Sequence, residues 1–107
     1  MILLTNELKK RLPKQVKVES KGDSKSFADA IVYAKFFHPF SEWRWYVLSG
    51  EPSGDDFIFW GYVEGEENEF GCFSLSELKA LNIMGLPMER DILFDGANKK
   101  LGEVCKL

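Results

Sequence analysis

His38 is the only histidine in this 107-residue chain, so imidazole acid–base chemistry has one place to sit. Glu42, Glu89 and Asp91 are its conceivable carboxylate partners. Arg90, between the last two, adds a guanidinium that can grip a carboxylate in bidentate fashion. An enzyme built on this chain would need His38, Glu89, Arg90 and Asp91 to converge in one pocket. Each also has a plainer use. A histidine ending an apolar run, just before Pro39, satisfies nearby backbone groups, and a Glu-Arg-Asp triplet beside a turn reads first as a structural ion pair. Gly50, Pro52, Ser53 and Gly54 lack the Gly-x-Ser-x-Gly flanks of a nucleophile turn. Gly61, Gly65 and Gly71 lack the spacing of a phosphate-binding loop. Cys72 and Cys105 have neither a Cys-x-x-Cys pair nor a neighbouring histidine to complete a metal site. The residues therefore read as a non-enzymatic chain with free thiols, no metal and no cofactor.

Charge offers a second kind of chemistry, recognition. The formal net charge is −3, but it is unevenly placed. Residues 50–70 carry seven acids and no base, whereas residues 1–25 carry seven bases against three acids. The acidic stretch falls in two turns, with Glu51, Asp55 and Asp56 in one and Glu64, Glu66, Glu67 and Glu69 in the other. Trp43, Trp45 and Trp60 are close in sequence. Concentrated acid beside aromatic surface suits a basic protein partner, and these ten residues are the candidate binding set. A net acidic chain repels phosphate backbones unless its bases gather on one face. That alternative rests on Lys9, Lys10, Arg11, Lys14, Lys17, Lys21 and Lys25, a basic arm for nucleic acid whose affinity would fall steeply with salt. Lys35 and Arg44 alone are too few to turn the aromatic run into a single-strand stacking platform.

Something must position these groups, and the length suits one domain, which buries about two thirds of the surface of its unfolded chain. Thr5 as a cap, Glu7 in the first turn and Leu4, Leu8 and Leu12 on one side predict a short N-terminal helix ended by Pro13. Residues 13–29, rich in lysine, serine and glycine, read as a flexible loop, with a brief extended piece at 16–18. From residue 30 the period becomes two and aromatic and β-branched side chains dominate, which is strand chemistry. Strands are predicted over 30–37, 43–48, 57–63 and 69–73, with a turn over 49–56. A helix starts at Ser74, where Ser74 and Glu77 form a capping box and Phe73 and Leu78 a hydrophobic staple. One more short strand is expected over 91–94, and residues 97–107 read as a frayed or weakly helical tail. The whole predicts an α+β domain with a strongly twisted antiparallel meander of four to five strands. Both faces of the central strands are apolar, so the second face must be covered by curling or by loops, or else remain as an exposed aromatic patch. The first residues hold too few apolar positions for a signal-peptide core, and no later run approaches the length of a membrane span, so a cytoplasmic protein is expected.

A series of blocks carries a resemblance. Tyr33, Lys35, Phe36, Phe37 and Pro39 come first, then Trp43, Trp45 and Tyr46, then Phe59, Gly61, Tyr62, Val63 and Gly65. Phe73, Ser74, Leu75, Glu77 and Leu78 follow, and Leu86, Pro87, Glu89, Arg90 and Asp91 close it. Over residues 31–94 the chain resembles a bacterial family of small uncharacterised single-domain proteins, frequent on conjugative plasmids, integrated elements and phage-like regions. The resemblance implies a setting beside anti-restriction or DNA-transfer functions. It implies no activity. The expected role is an interaction module of a mobile element, with inhibition of host defence as its specific form.

Overall fold

The computed structural model describes residues 2–16 and 27–105. Helix α1, Asn6–Arg11, begins where the Thr5 side chain accepts from the Leu8 N–H, and its Leu8 is buried. The sheet follows in chain order as β1 (Ala34–Phe37), β2 (Arg44–Ser53), β3 (Asp56–Glu64) and β4 (Glu69–Ser74), then helix α2 (Leu75–Ala80). A small hairpin of β5 (Asn82–Ile83) and β6 (Leu86–Pro87) precedes β7 (Glu89–Arg90), a 3-10 turn at Ile92–Phe94 and helix α3 (Leu101–Val104). The main sheet has the order β4-β3-β2-β1-β7, and every neighbouring pair is antiparallel. The predicted α+β meander is therefore present, with β7 returning to pair outside β1.

The first strand, expected over 30–37, pairs as strand only from Ala34, and three further elements differ from expectation. The turn predicted over 49–56 shrinks to Gly54 and Asp55, because residues 49–53 continue β2 and pair with β3 as far as Ser53↔Asp56. Pro52 is tolerated there because β1 ends its pairing at Val47 and leaves the other side of that stretch free of a β1 partner. The strand expected over 91–94 is a 3-10 turn, since the Asp91 carboxylate accepts from the Leu93 N–H and caps it; the pairing falls earlier, at Glu89 and Arg90. Over its described residues, 97–105, the tail has the weak helicity expected, at Leu101–Val104, but it is docked rather than frayed. Ile31 bridges to Lys100, Leu101 N–H donates to the Ala30 carbonyl at 2.8 Å, and Leu101 is fully buried. Most of the flexible loop expected over 13–29, and the end of the extended piece at 16–18, lie outside the described residues.

The capping at Ser74 is more local than a reciprocal box. Its hydroxyl accepts from the Glu77 N–H at 3.1 Å and lies 3.0 Å from the Glu77 carboxylate, to which it donates. Asp56 braces the same helix start, accepting from the Ser76 N–H and hydroxyl and from the Phe57 N–H. Ser74→Ala is expected to cost about 1 kcal/mol in a denaturant melt; an unchanged midpoint would remove the cap from the account.

The alternation read from the sequence sorts the sheet into two cores. Trp45, Val47, Phe57, Phe59 and Phe73 face Leu3, Leu8, Leu12, Leu78 and Met88. Tyr46, Leu48 and Tyr62 face Ala30, Val32 and Leu101, with Trp60, Phe70, Phe94 and Val104 packed around them. The second face is thus covered by the segment before β1, the 3-10 turn and α3. Phe27, Trp60 and Phe70 complete that side as an aromatic cluster with ring centroids about 5 Å apart, Trp60 stacked on Phe70 and Phe27 tilted against both.

Candidate interaction site

His38 ends β1 and is 1% exposed. Its Nδ1 accepts from the Phe40 N–H at 3.1 Å, so Nε2 carries the hydrogen and donates it to the Leu86 carbonyl at 2.8 Å. Both ring nitrogens are spent on backbone groups, and the imidazole ties the β5–β6 hairpin to the end of the sheet. Arg90 does clamp an acid, but the acid is Asp95 in the following turn, at 3.3 Å, and its guanidinium also donates to the Ile2 carbonyl. Asp91 caps the 3-10 turn and pairs loosely with Lys35 at 4.0 Å. Glu89 lies opposite Phe37 on β7. The sheet brings the four residues near one another, and three of them use their polar atoms to hold the chain.

The acidic residues divide by geometry. Glu51 near the end of β2, Asp55 in the β2–β3 turn and Asp56 at the start of β3 lie at one end of the sheet, while Glu64 at the end of β3, Glu66 and Glu67 in the β3–β4 turn and Glu69 at the start of β4 lie at the other. These turns leave opposite ends of the nine-residue strand β3, which sets them roughly 30 Å apart at ~3.4 Å per residue. They cannot form one face. Asp56 is further withdrawn by its three hydrogen bonds, and the Ser76 hydroxyl, then the Phe57 amide, hold its carboxyl below the ordinary range. Glu64 stands opposite Arg44 in the sheet and accepts from the Tyr46 hydroxyl.

The aromatic candidates divide as well. Trp45 is buried and Trp60 half-buried, both within the cores. Trp43 alone among the three is exposed, at 39%, with its ring stacked 5.8 Å from Trp45. Trp43 also lies against Gly65, where a Cβ would stand 2.4 Å from the indole. Gly65 therefore seats the indole on the β3–β4 turn, and the chain neighbours Glu42, before Trp43, and Glu66 and Glu67, after Gly65, are all exposed. Phe40, which the sequence reading left out of the binding set, is 59% exposed beside His38.

The two cysteines differ sharply. Cys72 is exposed, whereas Cys105 packs on the second core and donates to the Leu101 carbonyl at 3.4 Å. Burial, then the Glu64 carboxylate, pushes the Cys105 thiol up to about 12 from 9.0, and burial pushes Tyr46 up in the same direction. Iodoacetamide at pH 8 is expected to label Cys72 alone in the folded protein and both thiols after unfolding. For groups raised in this way, the stabilisation is fully present below the unfolded pKa. It is lost as pH rises through the folded one, because the unfolded chain ionises first. Thermal stability should accordingly fall between pH 9 and 12.

Of the basic arm, Lys9, Lys10 and Lys14 are exposed, while Arg11 stacks over the Tyr33 ring at 5.7 Å. Lys17, Lys21 and Lys25 lie outside the described residues. Among the described residues, no group of three His, Cys, Asp or Glu is arranged to hold a metal, and no helix is long and apolar enough to cross a membrane.

Fold and site together define a small α+β meander domain whose acid–base candidates secure the chain and whose exposed aromatics gather at one end of the sheet. The chain belongs to the family described as protein of unknown function (DUF2958), whose model matches residues 3–104. That match extends past residues 31–94 to take in α1 and α3. No curated protein and no solved structure matches the chain.

Proposed function

We propose that this protein is a non-enzymatic interaction module that captures a basic protein surface at the Trp43 end of its sheet. The observation that carries the reading is Trp43 itself. Its indole is exposed and is braced by Trp45 and Gly65, and Glu42, next to Trp43 in the chain, and Glu66 and Glu67, next to Gly65, are exposed at the same end of the sheet. An exposed ring held rigid among carboxylates suits a lysine or arginine side chain, which gains both a cation–π contact and charge pairing. The use of His38, Arg90 and Asp91 in structural bonds supports the non-enzymatic side of the reading. The family resemblance supports its setting, an accessory of a mobile genetic element. In the specific form, the acidic end occupies the basic nucleic-acid channel of a host defence protein, in the manner of an anti-restriction or anti-CRISPR inhibitor. Localisation would be cytoplasmic.

The test is an affinity pull-down of the tagged protein from a lysate of its source cells, with and without nuclease, identified by mass spectrometry. A stoichiometric, nuclease-resistant protein is the expected result. Nuclease-sensitive material retained only at low salt would replace this reading with nucleic-acid binding through the basic arm.

A further inference from the structure

Residues 80–88 are nine consecutive residues without a charge, in a chain of which 29% is charged. They hold the β5–β6 hairpin, and the hairpin is not covered. Ile83 and Leu86 are exposed and Met84, at its tip, is 83% exposed. Met84 and Gly85 both take positive φ, 55° and 81°, the two-residue turn that asparagine, aspartate and glycine occupy without strain. A methionine there accepts backbone strain and gains almost no burial within the chain.

The register shows where the hairpin sits. Phe37 pairs with Arg44 and with Glu89, Arg44 with Glu64, and Val63 with Glu69. The 38–43 loop, the 65–68 turn and the hairpin just before β7 therefore crowd one end of the sheet. The His38 bond to Leu86 fixes the hairpin there, with the Phe40 ring 6.4 Å from the imidazole. Met84, Ile83, Leu86, Phe40 and Trp43 are the exposed large apolar side chains of these segments, and we read them together, from their placement at one end, as an apolar strip. Five strands at ~4.8 Å spacing make it about 19 Å wide, the length of about 13 helical residues. Glu42, Glu66 and Glu67 border it on the Trp43 side.

We infer that this strip docks a basic amphipathic segment of a partner protein, an inference that rests on the interaction-module reading and names the partner's chemistry. The segment's apolar face lies on Met84, Ile83, Leu86 and Phe40, while its lysines or arginines meet Trp43 and the bordering carboxylates. Methionine suits the tip because its flexible thioether adapts to varied apolar surfaces. The acidic border selects a basic protein segment over an anionic lipid surface, which it repels.

The probe is a labelled peptide of about 14 residues with leucine on one helical face and lysine on the other, followed by fluorescence anisotropy. We expect it to bind at least about tenfold more tightly than a scrambled peptide that spreads its leucines around the helix. Met84→Asn should weaken binding about tenfold while the melting temperature holds or rises, because asparagine is at ease at positive φ. Phe40→Asn serves as the second apolar variant and should weaken it similarly. If both variants bind like the unaltered protein while Glu66→Lys with Glu67→Lys loses the peptide, the acidic site stands and the hairpin has no part in it. If the peptide binds no better than its scramble, or anionic vesicles bind in its place, the inference is wrong.

Discussion

Gly61→Ala is expected to abolish the folded state. Gly61 lies opposite Val47 on one side and Gly71 on the other, at the centre of the sheet. A Cβ there would stand 1.8 Å from the Tyr46 carbonyl oxygen, 2.9 Å from its carbon and 3.3 Å from the Leu48 nitrogen. All three are backbone atoms of β2, so no rotamer change relieves the overlap. The strand pair β2–β3 would have to separate, next to the irregularity between Val47 and Ser49. Overpacking that side chains can absorb costs about 1–3 kcal/mol. Displacing the central strand pair should exceed about 4 kcal/mol, close to the whole stability of a small domain. Gly71→Ala, on the edge strand, is the control, because a Cβ there meets nothing within 4 Å; it should change stability by less than about 0.5 kcal/mol. Denaturant melts of the two variants decide the matter, and a Gly61→Ala protein as stable as Gly71→Ala would show that β2 and β3 are packed differently.

Reversing Glu66 and Glu67 together to lysine should cost partner capture about 100-fold or more, which is about 2.7 kcal/mol. Both side chains are exposed, so folding should be untouched within about 0.5 kcal/mol. Like charge placed against a basic partner costs several kcal/mol, and that sets the scale. Glu64 is left out of the reversal. Its pairing with Arg44 and its bond from Tyr46 would mix a stability loss into the result. Glu51→Lys with Asp55→Lys, at the far end of β3, should leave capture intact. Equal losses from both pairs would mean that charge acts at long range rather than at a defined contact, and raising the salt would then remove the effect of each.

Much of the fold was legible because it depends on local patterns. The period-two runs around Trp45 and Phe59 assign each side chain to the core it occupies, and Thr5 and Ser74 mark the starts of α1 and α2. Three elements were misread where a tertiary contact outweighed a local cue. Gly50 and Pro52 look like a turn, yet pairing with β3 carries them as strand. Residues 97–105 look like a tail, but Leu101 has the second core to fill. Asp91 looks like the start of a strand and instead caps a turn. The site was legible in residue type and not in place. The acids of residues 50–70 are adjacent in sequence, but a strand between two turns drives them to opposite ends. Phe40 and Met84 carry no chemical signature, and only the register that brings the 38–43 loop beside the hairpin sets them next to Trp43. The missed signal was the uncharged run over 80–88, which for a helix stop is longer than a turn requires.

The most direct test of the docking end is hydrogen–deuterium exchange of the protein alone and with its captured partner. The expected result is slowed exchange at 38–43, 65–68 and 82–87, with the β2–β3 turn at 53–56 unchanged. Protection confined to that turn, or to residues 5–16 of the basic arm, would contradict the account.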